Sequence, residues 1–172
     1  MRNLVLSVLT LALSTTPGMA QLPAPSADTV TDNRPQHLGA TTLDDVERTL
    51  VEEGQSVPRP TKELLNVPTH RISMIHRSKT DAAEMHPDRT DVWIIKSGSG
   101  TVIIGGEMVD TRPARTTTVF ADSIRGGERY AARPGDIFNI PPDLPHQMLV
   151  EPGQTVTYYN LWVRTDRLPV AR

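Results

Sequence analysis

Between Thr41 and Gly54 apolar residues recur at helical spacing, with Leu43, Val46 and Leu50 on one face. Thr41 or Thr42 is placed to cap the start, acidic residues crowd the first turn, and Gly54 followed by "SVPRP" ends the run. A helix is therefore predicted over 41–56. From 57 to 172 the period of the pattern falls to two. In "HRISMIHRS" His70, Ile72, Met74 and His76 alternate onto one face. "DVWIIKSGSGTVIIGGEMV" reads as two strands around "SGSG", a hairpin signal, with a further turn at Gly105-Gly106. A less regular stretch follows, punctuated by Gly126-Gly127 and Pro134-Gly135. "IFNIP", "HQMLV" and "TVTYYNLWV" complete the strand set. Short strands separated by Gly and Pro turns predict an all-β domain, a sandwich or barrel, behind one short helix. No internal repeat divides it. Gly126-Gly127 leads into no helix pattern, so it reads as a turn and not a phosphate loop.

The first 20 residues break this pattern. Arg2, the apolar run "LVLSVLTLAL" and the small residues of "PGMA" resemble a signal peptide cleaved near Ala20. The run is too short to span a bilayer. Residues 21–40 form a lead-in rich in Pro, Ala, Ser, Thr and Asp, expected to be flexible or extended. The expected location is periplasmic or secreted, with no membrane contact after cleavage. Export would permit disulfides, yet the chain has no cysteine, so the fold must stand without them and thiol catalysis is excluded. A net charge of −2 and a pI near 6.2 point away from nucleic acid. No "GxSxG" supports a serine hydrolase.

Candidate chemistry collects in two places. In "AAEMHPDRTDVW" Glu84 and His86 stand two apart, so on a strand they would point the same way, and Asp91, Trp93 and Ile95 would share a face of the next strand. The plainer alternative is an acidic surface loop in which Asp88, Arg89 and Asp91 are ordinary loop residues. The second place is "PGDIFNIPPDLPHQMLV", with Gly135, Pro141, Asp143 and His146. This spacing resembles the second motif of the cupin superfamily: Gly135, Pro141 and His146 match, while Asp143 replaces a glycine and Val150 an asparagine. "AAEMHPDRTDVW" then falls on the first cupin motif. His86 is its second histidine and Gly98 its closing glycine. Glu84 takes the first histidine's place, Asp91 the glutamate's, and Ser78 that of the opening glycine. The resemblance covers roughly Arg71 to Val163.

What the resemblance implies is a double-stranded β-helix, the jelly-roll barrel, with a divalent metal ion inside it. Carried over, the candidate ligands are Glu84, His86, Asp91 and His146. Two imidazoles with one or two carboxylates can hold Fe, Mn, Zn or Ni, and a two-His-one-carboxylate set leaves positions open. A carboxylate that does not bind the metal, Glu84 or Asp91, would serve as general base. Without a metal, two carboxylates buried close together would repel, and one would hold a proton. The resemblance implies action on a small organic molecule of isomerase, lyase or oxygenase type. The alternative is a non-catalytic, metal-free cupin that binds a small ligand; a storage role is weaker. A homodimer is expected from the resemblance alone. His70 and His76 would approach the site if their face lined the barrel. His37 is expected to be exposed. Trp93 and Phe138 are expected in the core or lining a pocket, and "YYNLW" as a buried strand with some tyrosines outside.

Overall fold

The computed structural model describes residues 35–112 and 117–165, so the expected signal peptide and most of the lead-in lie outside the described residues. Helix α1 runs Ala40–Glu53. It starts earlier than its threonines suggested: Gly39 is the N-cap, with extended backbone and no side-chain cap, and the first turn holds no acid. The start is set by packing instead. Val46 and Leu50 are buried against Leu64 and Met74, with Leu38 and Leu43 beside them. Burying each of these side chains is worth about 1.5–3 kcal/mol, more than the roughly 1 kcal/mol a cap supplies.

Twelve strands follow among the described residues: β1 Thr61–Asn66, β2 His70–Arg77, β3 Ala83–Met85, β4 Arg89–Gly98, β5 Gly100–Ile104, β6 Glu107–Val109, β7 Val119–Ala121, β8 Ser123–Arg125, β9 Glu128–Ala132, β10 Ile137–Ile140, β11 His146–Leu149 and β12 Val156–Arg164. Two five-stranded antiparallel sheets result, ordered β1-β2-β12-β4-β10 and β7-β3-β11-β5-β9, with β6 and β8 paired separately. Strands β3, β4 and β5 fall alternately in the two sheets, as do β10, β11 and β12. This alternation is that of a double-sheet jelly roll.

The expected hairpin at "SGSG" is not one. Strand β4 pairs with β12 and β10, whereas β5 pairs with β11 and β9. The stretch carries the chain across from one sheet to the other. Gly98 has φ +74°, and a Cβ there would stand 2.0 Å from the Thr155 carbonyl oxygen. Its glycine serves a close crossing of two backbones, which local sequence imitates with the same residues as a turn. Gly126-Gly127 does form a turn, between β8 and β9, with both residues at positive φ.

Between the sheets lies a core of Ile75, Trp93, Ile95, Val102, Phe138, Ile140, Met148, Val156 and Tyr158, among others. The alternation in β2 sorts its side chains. Ile75 joins this interior, while Met74 joins the α1 cluster on the outer face. His76 is on that outer face too. It packs against Gly54, and its Nδ1 is 2.9 Å from Thr157 Oγ1. The face shared by His70 and His76 is therefore covered by the helix and does not line the barrel. His37 is exposed, as expected.

Candidate metal centre

Glu84 and His146 are directly opposed across the β3–β11 pair. His86 follows two residues after Glu84 and is buried at 3% exposure. The turn before β11 ties these strands together: the Asp143 amide donates to the His86 carbonyl at 2.9 Å. Asp143 has φ +62°, the left-handed conformation that explains why the cupin pattern has glycine there and why an Asp can replace it. Asp91 arrives from the other sheet. Its strand β4 alternates strictly, burying Arg89, Asp91, Trp93 and Ile95.

The four expected residues thus meet inside the barrel. His86 Nε2 is 3.4 Å from Glu84 Oε2 and 3.7 Å from Asp91 Oδ2, and His146 Nε2 is 3.7 Å from Asp91 Oδ2. Donor atoms of Glu84, His86 and His146 all fall within 4.8 Å of one another; Asp91 stands outside that set. Among the described residues, both Nε2 atoms and Asp91 Oδ1 are sealed from solvent without a hydrogen-bond partner. Ligands held about 2.1 Å from a tetrahedral ion are about 3.4 Å apart, so these spacings, long for hydrogen bonds, suit the edges of a coordination shell. His146 is already oriented for it. Its Nδ1 donates to the Leu144 carbonyl at 3.0 Å, which leaves the Nε2 lone pair facing inward. The donor set therefore fits a small divalent cation.

Three arginines unforeseen in the sequence shape the electrostatics. Arg59 Nη1 lies 2.7 Å and Arg77 Nη2 3.9 Å from Glu84 Oε1, leaving Oε2 turned to His86. Arg77 is 2% exposed and donates from Nε to the Tyr158 hydroxyl at 2.9 Å. Burial opposes ionisation of Glu84 but is outweighed by His86, Arg59 and Arg77, so its carboxyl lies well below the usual carboxylate range. Asp91 behaves oppositely. Burial pushes its carboxyl up, against the pull of His146, His86 and Arg89. The expected conflict of two buried carboxylates is thus resolved by arginines at one and by a raised pKa at the other. Burial also lowers the His146 imidazole, against the pull of Asp91.

The third arginine, Arg89, is buried on the inner face of β4 rather than in a loop. It lies with its Cζ 3.7 Å from the centroid of Trp162, and Arg71 Cζ is 3.2 Å from the same centroid. Trp93 packs edge-on to His146 with ring centroids 5.3 Å apart and is otherwise a core residue, as is Phe138. Period-two alternation could have found Arg89 from Asp91 and Arg77 from Ile75. Nothing local marked Arg59, which precedes β1.

Residues 123–169, which contain Gly135, Pro141 and His146, match the family model of the AraC-like ligand binding domain. A protein of Bacillus halodurans has a similar structure, at TM-score 0.54 and 14% identity over 83% of this chain and 92% of that one. The chain has a cupin-type jelly-roll fold. Other solved structures are more distant. A cupin protein from Bacteroides fragilis is 18% identical over 60% of this chain and 73% of its own, at TM-score 0.41. The DMSP lyase DddQ of Ruegeria pomeroyi is 13% identical over 77% of this chain and 53% of its own, at TM-score 0.46. No curated protein matches this chain.

Proposed function

We propose that the chain is a cupin that holds one divalent cation, Fe, Mn, Zn or Ni, through Glu84, His86 and His146, and turns over a small organic molecule by proton transfer, as an isomerase or lyase. The observation that carries this is the division of the four polar residues. Three donors converge within 4.8 Å, while Asp91 stands beside them with its carboxyl raised by burial. A bound dication would polarise a substrate carbonyl or carboxylate and so acidify a neighbouring C–H. Asp91 is the general base in this reading, because a raised pKa brings a carboxylate closer to working pH. Glu84 stays ionised through Arg59 and Arg77 and supplies the anionic ligand. A two-His-one-carboxylate set also suits iron and dioxygen, so oxygenase chemistry is the variant of this reading in which Asp91 takes no proton.

A specific observation favours a second reading, a metal-free cupin that binds a small ligand without turnover: Arg59 and Arg77 already neutralise Glu84. Elemental analysis of protein purified without chelator separates the two. The first expects near-stoichiometric metal in the wild type, loss of it in His86→Ala and His146→Ala, and its retention in Asp91→Asn with turnover abolished. A folded wild-type protein that takes up no offered cation would leave the second. Export to the periplasm or medium and a homodimer belong to the same proposal. N-terminal sequencing of the mature protein, expected to begin at Gln21, and its mass in solution test them.

A further inference from the structure

Arg89 touches the site through an atom that a metal would not touch. Its Nη2 lies 2.6 Å from Nδ1 of His86 and donates to Thr118 Oγ1 at 3.0 Å, while its Nη1 donates to Asp88 Oδ1 at 2.9 Å. A guanidinium offers donors only. In the 2.6 Å contact Nδ1 must therefore accept, and a neutral imidazole that accepts at Nδ1 carries its proton on Nε2. Nε2 is the nitrogen that faces Glu84 and Asp91. Protonated, it has no lone pair to give a cation. His146 has the opposite arrangement, with Nδ1 donating to a carbonyl. The two histidines of one candidate metal centre are held in opposite tautomers, and Arg89 accounts for the difference.

We infer that Arg89 is a positioning residue that competes with the metal: it fixes His86 in the Nε2–H tautomer, and a cation binds only when Arg89 leaves Nδ1. The inference rests on the metal-binding reading above and describes how that site is regulated. The ring keeps one proton throughout. The proton on Nε2 is lost and Nδ1 gains one, so none is released on balance, and the new Nδ1–H has an acceptor in place, since Thr118 Oγ1 is 3.0 Å away. Arg89 keeps its bond to Asp88 and its stack on Trp162 while doing so. The result is a site whose affinity is held down in the resting protein by its own side chain.

The test combines histidine 15N NMR of the full-length, metal-free protein with Zn2+ affinity measured by competition against a chromophoric chelator. In the wild type His86 should be protonated on Nε2 and His146 on Nδ1. Arg89→Met should switch His86 to Nδ1–H and tighten Zn2+ binding about 10- to 100-fold, the range over which the hydrogen-bond partners of a ligand tune a metal site. Thr118→Val should leave the metal-free tautomer of His86 unchanged, weaken Zn2+ binding in the wild type, and cancel the gain of Arg89→Met. A gain from lost positive charge alone would survive Thr118→Val, and that result would overturn the inference. So would a wild-type His86 protonated on Nδ1, a measurement that needs no variant to fold. Wild-type protein that binds Zn2+ no more weakly than Arg89→Met would sink the inference and leave the metal reading standing. Failure of both proteins to bind any Zn2+ would sink the metal reading itself.

Discussion

Glu84→Gln keeps the size of the side chain and one acceptor oxygen but removes the charge that two arginines share. At an effective dielectric near 20, the 2.7 Å contact with Arg59 and the 3.9 Å contact with Arg77 correspond to about 6 and about 4 kcal/mol of attraction. Desolvation offsets much of that, and breaking one side of a buried pair typically costs about 3–5 kcal/mol. Two features lower the figure here. The Arg59 side chain is 28% exposed, and Asp81 remains 3.2 Å from Arg59 and 3.4 Å from Arg77. The expected loss in chelator-treated protein is about 2–4 kcal/mol, or a melting point about 10 °C lower. Asp81→Asn, at a half-exposed position, should cost under about 1 kcal/mol. Glu84→Gln combined with Arg77→Met should recover part of the loss, because the uncompensated cation is gone. The pH dependence has a definite sign. The folded carboxyl is depressed, so its contribution is fully present above the unfolded value, about 4.3, and fades as pH falls below it. The gap between wild type and Glu84→Gln should accordingly shrink in acid. Equal melting points at neutral pH and low salt would refute the idea that this carboxylate holds the arginines in the barrel.

Asp91→Asn should raise the melting point of the metal-free protein at neutral pH. The folded carboxyl is raised, so ionised Asp91 opposes folding above that value, and the gain should vanish below the unfolded pKa of about 3.9. His76, beneath α1, has a lowered pKa from burial, against the pull of Glu47. Its contribution is present above about pH 6.5 and is lost as pH falls through the folded value, so His76→Gln should flatten the stability profile between pH 7 and 5 in urea titrations. Gly98→Ala should cost more than the roughly 1 kcal/mol of an ordinary glycine position, because φ is +74° and the new Cβ would meet the Thr155 carbonyl. An unchanged urea midpoint would contradict the crossing described for that corner.

The sequence alone determined the all-β architecture, because period-two burial is a local property that survives whatever the strands pair with. It also determined where chemistry would collect: Glu84, His86, Asp91 and His146 all lie at positions whose alternation or turn chemistry points inward. What only the tertiary structure decided was partnership. "SGSG" carries the same residues for a hairpin as for a crossing between sheets, and only the distant partners β11 and β12 choose between them. Which face of β2 meets the barrel depends on where α1 docks, so His76 and Arg77, adjacent in sequence, end on opposite sides of a sheet. The charge balance was equally hidden. Glu84 is neutralised by Arg59 and Arg77 from strands or segments that local patterning cannot bring together, and Arg89 reaches His86 only because β4 crosses to the sheet opposite β3. Periodicity fixes which way a side chain points; the three-dimensional fold fixes what it meets, and in a low-dielectric interior that encounter sets protonation, tautomer and ligand strength.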